Sequence, residues 1–369
     1  MSTNTFAPQS VATQFRHVGS LKRGNTATVV GAGAFGGWTA LYLLRRGIKV
    51  TLMDAWGAGN SRSSSGDETR VIRSTYGANE FYFDLNVRAL ELWKEHQKSW
   101  NRQVFFNTGV LWMCHFEKCS IVDDSIPFSK KHRMEYEYLG KQDLAKRFPL
   151  VNTDDLHHGW LDPYGGYLKA RESTQLVLDT FIKEGGVFVN AEVKPGDKLE
   201  ADTIIYACGS WLGKLFPKEI GDRITCSKQE VYYFGAPASH AAGFDSFPVW
   251  VDADDKDHYY GIPGNANRGF KVGVDRRGKP FDPTNGDRIM EPEVLAHARG
   301  FLSHRFPLLK DAPVAESRVC PYENSVDGNF IFERHPEKKN VWFLGGGSGH
   351  GFKHGPALGE MISQVLVGS

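Results

Sequence analysis

The chain has 369 residues and carries 44 Lys and Arg against 43 Asp and Glu, a formal net charge of +1. That balance gives no electrostatic basis for binding nucleic acid or a membrane surface, and no apolar run approaches the roughly 20 residues of a bilayer span. The length suffices for one large or two medium domains, and 41% hydrophobic with 24% charged residues is ordinary globular composition.

Residues 1–24 are polar and lack the apolar stretch of a secretory leader, so they are expected to form a disordered or loosely docked extension. The five cysteines, Cys114, Cys119, Cys208, Cys226 and Cys320, are odd in number, which points to free thiols in a reducing, cytoplasmic compartment. The pair in CHFEKC has no second pair with which to complete a zinc site, and no metal is expected.

The strongest local signal is TATVVGAGAFGGWTALYLLRRGIKVTLMDAWG. A strand-forming run from Thr26 to Val30 leads into Gly31, Gly33 and Gly36, spaced G-x-G-x-x-G. A helical stretch with Leu41, Leu43 and Leu44 follows, closed by Arg45, Arg46 and Gly47. A second strand, Lys49 to Met53, ends at Asp54. This βαβ order predicts dinucleotide binding. Gly31 permits the tight turn, Gly33 lets a pyrophosphate approach the backbone, and Gly36 allows the helix to lie close on the sheet. The helix N-terminus offers unpaired N–H groups and roughly half a positive charge to phosphate, and Asp54 can accept from ribose hydroxyls. The motif alone does not separate FAD from NAD.

The loop that follows, GNSRSSSGDETRVIRSTYGANEFY, carries Arg70, Arg73 and Tyr76. With the glycine cluster it resembles the sarcosine oxidase family of amine-oxidising flavoproteins, within the D-amino-acid oxidase group. That family has a G-D-T-R-x-I-R-x-x-Y-G element beneath its flavin; here one residue, Glu68, is inserted. The resemblance continues in order through DTIIYACGSW, YYGIPGNANRGFKVGVD and RVCPYENSVDGNFIFERHPEKKNVWFLGGGSGHGFKHG. The departures are a shortened segment, VNAEVKPGDKLEADTII, and Ser65 and Asp275 where relatives carry histidines.

The resemblance implies an α/β chain (α+β overall). A Rossmann-like FAD-binding domain of the glutathione reductase type is expected from residues 25–104, 154–224 and 325–369. A discontinuous substrate domain built on an antiparallel sheet is expected from 105–153 and 225–324. Composition supports strands in GVLWMC, QEVYYFG, DHYYGIP and GFKVGV. It supports an amphipathic helix in EPEVLAHARGFLSHRF, with Val294, Leu295, Ala298 and Leu302 at helical spacing. His157, His158 and the acidic run DADDKD from Asp252 read as exposed loops.

The resemblance also implies site roles. FAD would be held by Gly31, Gly33, Ala34, Phe35, Gly36, Asp54, Ser64, Ser65, Thr69, Arg70, Val193, Gly209 and Trp211. It would also be held by the late turn Gly349, His350, Gly351, Phe352 and Lys353, with a thioether to Cys320. Arg73 and Lys353 match the family's carboxylate-binding pair, Arg70 the arginine against the flavin ring, Tyr260 a wall of the substrate cavity, and Lys271 the oxygen-activating lysine. The implied reaction is oxidation of an amino acid or secondary amine carrying a carboxylate, with hydride passing to flavin N5, an imine as product and O2 reduced to H2O2. Asp275, together with Val251 in place of a longer methionine, implies a substrate larger than sarcosine with a polar or cationic distal group. A flavin dehydrogenase using another electron acceptor, a nicotinamide dehydrogenase and a non-catalytic flavin protein remain alternatives. Lys271 favours oxygen over the first of these.

Overall fold

The computed structural model describes residues 19, 21–254 and 258–367. The expected N-terminal extension therefore falls largely outside the described residues, as do residues 255–257 of the acidic run. Of the extension, Leu21 is buried, and its N–H donates to the Leu366 carbonyl at 2.9 Å.

The run Thr26–Val30 forms a strand buried from Ala27 onward, as expected of a parallel strand covered on both faces. It lies inside a six-stranded sheet whose order is Ile331–Arg334, Val341–Gly345, Thr203–Tyr206, Thr26–Val30, Lys49–Asp54 and Val187–Asn190. All neighbours are parallel except Ile331–Arg334, which returns antiparallel. Helices Ala34–Arg45, Glu80–Trp100 and Gly355–Val367 share one apolar core with this sheet, centred on Trp38, Trp93, Leu358 and Ile362.

A second sheet has eight strands, in the order Val314–Ser325, Ile224–Phe234, Phe270–Val274, Tyr259–Ile262, Val249–Ala253, Val110–Cys114, His158–Asp162 and Glu137–Gly140. It is antiparallel except between Val249–Ala253 and Val110–Cys114, which run parallel. His158–Asp162 belongs to this sheet, although the expected boundary at residue 154 assigned it to the nucleotide-binding segment. A three-stranded sheet of Thr69–Ile72, Gly166–Lys169 and Phe105–Phe106 completes the set.

The two-residue period of the strands gives the eight-stranded sheet two different faces. Phe270, Val272, Tyr232, Phe234 and Trp250 pack beneath helix Pro292–Arg305, which buries Ala298 and Leu302 against them. The other face is fixed by register. Trp112 pairs with Val251, Val251 with Tyr260, Tyr260 with Gly273 and Gly273 with Val231, which faces Arg318. Lys271 and Cys320 lie two residues from members of that row and Tyr322 four, so all three share its face.

Two sequence expectations are corrected here. His158 is buried within its strand, and Asp252 is buried rather than in an exposed loop. Asp252 accepts from Arg305 Nε at 2.6 Å and contacts His115 Nε2 at 2.5 Å. Its compensating arginine is distant in sequence, so the acidic run alone reads as solvated.

The last helix crosses the first closely enough to require glycine. A Cβ on Gly359 would lie 2.7–2.9 Å from backbone atoms of Trp38 and Thr39. Gly359→Ala should therefore destabilise the fold by about 1–3 kcal/mol through overpacking. Urea unfolding measures this, and an unchanged midpoint would show that the helices can part without cost.

Candidate active site

At the C-terminal edge of the parallel strands the chain turns through Gly31, whose φ of +108° suits glycine. A Cβ there would stand 2.3 Å from the Ala207 carbonyl oxygen, and one on Gly36 would stand 1.9 Å from the Gly31 oxygen. These two glycines set the turn and seat the helix. Gly33, at its N-cap, lines a cavity of about 320 Å³. From Asp54, Trp56 and Val193 the cavity passes Gly31, Gly33, Ala34 and Phe35 and reaches Ser64, Ser65, Arg70, Cys320 and Tyr322. Gly209, Trp211, Gly349, Gly351 and Phe352 complete its wall.

Asp54 anchors one end. Its Oδ2 accepts from Ala32 N at 2.9 Å, and its Oδ1 accepts from Trp56 N at 2.8 Å and Gly57 N at 2.9 Å. Burial nevertheless raises its pKa above the usual carboxylate value. Trp56 and Trp211 lie 5.0 Å apart there, and Trp211 Nε1 donates to Thr284 Oγ1 at 2.8 Å. Ser65 Oγ accepts from Ala34 N at 3.0 Å, and Ser64 bonds to the Pro321 carbonyl. A groove with aromatic rings and an acid at one end, a helix start in the middle and a thiol at the other matches the parts of a flavin dinucleotide.

Gly36, Thr69, His350 and Lys353 stand behind this wall rather than on it. The sequence reading missed Trp56, Thr284, Tyr322 and Glu323, which line the cavity. Tyr322 had a signal, since it lies two residues from Cys320 and shares its face. Glu323 had none; burial pushes its pKa up to about 7, against backbone N–H groups of Gly346 and Gly347.

At the Cys320 end, Arg70 Nη2 donates to Cys320 Sγ at 3.1 Å and to the Ser64 carbonyl at 2.6 Å, and Nη1 pairs with Asp67. Lys271, 1% exposed, donates to Asp67 Oδ2 at 2.5 Å and to the Thr69 carbonyl at 2.9 Å. Tyr233 donates to Asp67 Oδ1 at 2.9 Å. Burial opposes the Asp67 charge, but Lys271 and Arg70 override it and hold the carboxyl well below its usual range. The Lys271 pKa is lowered by burial, with Asp67 opposing. Burial likewise raises the Cys320 thiol, with Arg70 opposing.

Beyond Tyr322 lies a second set of charges. Tyr260 and Tyr322 hydroxyls approach to 3.4 Å. Arg73 bonds to the Thr75 carbonyl and lies over Tyr76 at 4.9 Å and Trp112 at 5.2 Å. Lys353, buried, donates to the His350 carbonyl at 2.9 Å. Among the described residues no carboxylate forms an ion pair with Arg73 or Lys353. Burial and then Arg73 press the Lys353 pKa well below its usual value, and Asp275 opposes them. Asp275 itself is 53% exposed and pairs with Arg277 at 3.2 Å, while Arg277 donates to the Ser348 carbonyl at 2.8 Å. Two close cations with no carboxylate at ion-pair distance among the described residues make an anion-accepting site.

Comparison with known proteins agrees with this geometry. The DAO family of FAD dependent oxidoreductases matches residues 26–365. The monomeric sarcosine oxidase of Bacillus sp. (strain B-0618) is 28% identical, over 92% of this chain and 91% of that protein. The N-methyl-L-tryptophan oxidase of Salmonella enteritidis PT4 (strain P125109) is 25% identical, over 92% of this chain and 94% of its own. The solved L-proline dehydrogenase of P. horikoshii shares the fold, with a TM-score of 0.79 at 20% identity over 93% of each chain.

Asp67→Asn would leave Lys271 and Arg70 buried without a counter-charge. The expected cost is about 3–5 kcal/mol of stability, read by chemical denaturation. A loss below about 1 kcal/mol would instead match an exposed pair.

Proposed function

This chain belongs to the FAD dependent oxidoreductase family, and we propose that it oxidises a small amino acid or secondary amine carrying a carboxylate, with dioxygen as electron acceptor. The substrate would lose two electrons and two protons to give an imine, and dioxygen would gain them as hydrogen peroxide. The observation that carries this reading is the pair of cations, Arg73 and Lys353, set beyond Tyr322 without an acidic partner among the described residues. The names of the relatives, oxidases of sarcosine and of N-methyl-L-tryptophan, support the same substrate class.

When bound, FAD supplies the two-electron acceptor, since redox chemistry of this kind belongs to the cofactor. On this reading the six-stranded sheet serves the cofactor and the eight-stranded sheet the substrate. Gly31, Gly33, Asp54, Val193 and Trp211 would hold the nucleotide, and Cys320 would carry a thioether. Arg73 and Lys353 would fix the substrate carboxylate, and orientation of this kind lowers the barrier by pre-paying rotational entropy. Tyr260, Val251 and Trp112 would wall the remainder of the substrate. Lys271, held by Asp67 and the Thr69 carbonyl, would place positive charge where oxygen gains electrons. Val251 leaves room for a substrate larger than sarcosine. A cationic distal group would exchange for Arg277 on Asp275. None of the five cysteines is paired in a disulfide, which supports a reducing, cytoplasmic setting.

A peroxide-release screen across amino acids, N-methyl amines and amines without a carboxylate tests the reading. Carboxylate-bearing substrates should lead the profile, and Arg73→Ala or Lys353→Ala should weaken their apparent affinity by about 30-fold or more, the effect of losing a charged hydrogen bond. A profile headed by amines without a carboxylate would overturn the assignment. Reduction of an artificial dye with no peroxide released would replace oxygen by another acceptor.

Covalent attachment is tested separately. After acid precipitation the yellow colour should stay with the wild-type pellet and pass into the supernatant for Cys320→Ser. Colour lost from both would rule out the thioether.

A further inference from the structure

Arg73 and Lys353 meet across one aromatic ring. Arg73 Cζ is 4.9 Å and Lys353 Nζ 5.1 Å from the centroid of Tyr76. The face of an aromatic ring is its negative region, so Tyr76 partly offsets two charges that no carboxylate among the described residues meets at ion-pair distance. The placement of that ring therefore governs how the two cations are presented to an anion.

The ring is held at both ends. Its backbone N–H donates to Ser125 Oγ at 3.0 Å. Its hydroxyl lies 3.1 Å from His350 Nδ1 and 2.7 Å from His354 Nε2. The proton positions follow from the partners. His350 Nε2 is 3.0 Å from the Gly328 carbonyl, which can only accept, so Nε2 carries the proton. Nδ1 of a neutral His350 must then accept, and the single proton of the Tyr76 hydroxyl goes to it. The hydroxyl oxygen in turn accepts from His354 Nε2–H. A neutral His354 is left with a bare Nδ1, and that atom is indeed buried without a hydrogen-bond partner. Both imidazoles are kept neutral by burial, His350 with a pKa lowered to about 3 and His354 also well below its usual value.

We propose that His354 is a positioning residue of the anion site: its Nε2–H, acting through the Tyr76 hydroxyl, fixes the ring across which Arg73 and Lys353 face a carboxylate. Neither the cofactor groove nor the family motif requires a histidine here. His354 is fully buried, and its ring packs 5.4 Å from Tyr76, 5.7 Å from Tyr82 and 5.5 Å from Phe330. A phenylalanine would fill the same space but would donate nothing. A cationic side chain would repel Lys353, and an anionic one would pair with it in place of a ligand. A neutral imidazole satisfies both conditions. The proposal rests on the reading of Arg73 and Lys353 as a carboxylate pair.

The test is acetate binding by the flavin-loaded protein, measured by calorimetry for wild type, Arg73→Ala, His354→Phe, His354→Gln, Tyr76→Phe and the His354→Phe/Tyr76→Phe double variant. His354→Phe and Tyr76→Phe should each weaken acetate by about five- to tenfold, the scale of one lost buried hydrogen bond. The double variant should be no weaker than Tyr76→Phe, which already removes the bond from His354 along with the one to His350. His354→Gln, whose amide N–H can stand in for Nε2–H, should recover most of the loss. With a substrate from the peroxide screen, the effect should fall on KM rather than kcat. If His354→Phe fails to fold, His354→Gln against Tyr76→Phe isolates the bond, since Tyr76→Phe removes it together with the one to His350 and leaves the ring packing in place. Acetate lost by Arg73→Ala but retained by Tyr76→Phe and His354→Phe would overturn the role of His354 alone. Acetate bound equally by wild type and Arg73→Ala would overturn the carboxylate reading and the proposal together.

Discussion

Asp67 ties the two halves of the site together. It comes from the loop before strand Thr69–Ile72, yet its partners include Lys271 and Tyr233 from the eight-stranded sheet as well as Arg70 from its own segment. A carboxylate this deeply buried is tolerated only with its charge compensated and its oxygens hydrogen-bonded. Satisfying it draws this loop and the eight-stranded sheet into one register. Arg70 then reaches Cys320, and Lys271 is held with its ammonium beside the Thr69 carbonyl. Lose this knot, and the thiol, the guanidinium and the ammonium are no longer arranged around one end of one groove.

The charges beyond Tyr322 follow the opposite rule. Lys271 has an acid at hydrogen-bonding distance, whereas Lys353 has the His350 carbonyl and the Tyr76 ring in contact and Asp275 only from further off. The same residue type is thus buried twice in one chain with different compensation. A fully compensated cation persists in the absence of a ligand and is suited to a standing electrostatic role. An incompletely compensated one gains when an anion arrives, and so is suited to binding. The depressed Lys353 pKa has this origin: burial first, then repulsion from Arg73.

Much of this was legible in the sequence because its determinants are local. Gly31, Gly33, Gly36 and Asp54 occupy one βαβ unit, where turn geometry and spacing leave few alternatives. Strand period placed Lys271 opposite Phe270 and Val272, and the register sets Lys271 on the face shared by Tyr260 and Cys320. Compensation between distant residues was not legible. Asp252 read as part of a solvated run because its partners, Arg305 and His115, lie far away in the chain. Glu323 and His354 carried no sequence signal, since what matters at each is the neighbour the fold supplies. Thr69, His350 and Lys353 were expected against the cofactor, but the turn reaches the groove with Gly347, Ser348, Gly349, Gly351 and Phe352, and Thr69, His350 and Lys353 are not on its wall.

The turn that carries these residues is tied down at three levels. Strand Val341–Gly345 pairs with both Thr203–Tyr206 and Ile331–Arg334. Helix Gly355–Val367 lies against Trp38 at the glycine contact, and Trp38 meets Trp93 edge-on at 5.3 Å. Trp93 Nε1 in turn donates to the Lys353 carbonyl at 2.8 Å. The backbone of the residue whose ammonium faces the anion site is therefore anchored by the indole of an earlier helix. The glycines of the turn can approach the groove closely because the segments on either side of them are held rigidly, so close approach does not depend on order within the turn itself.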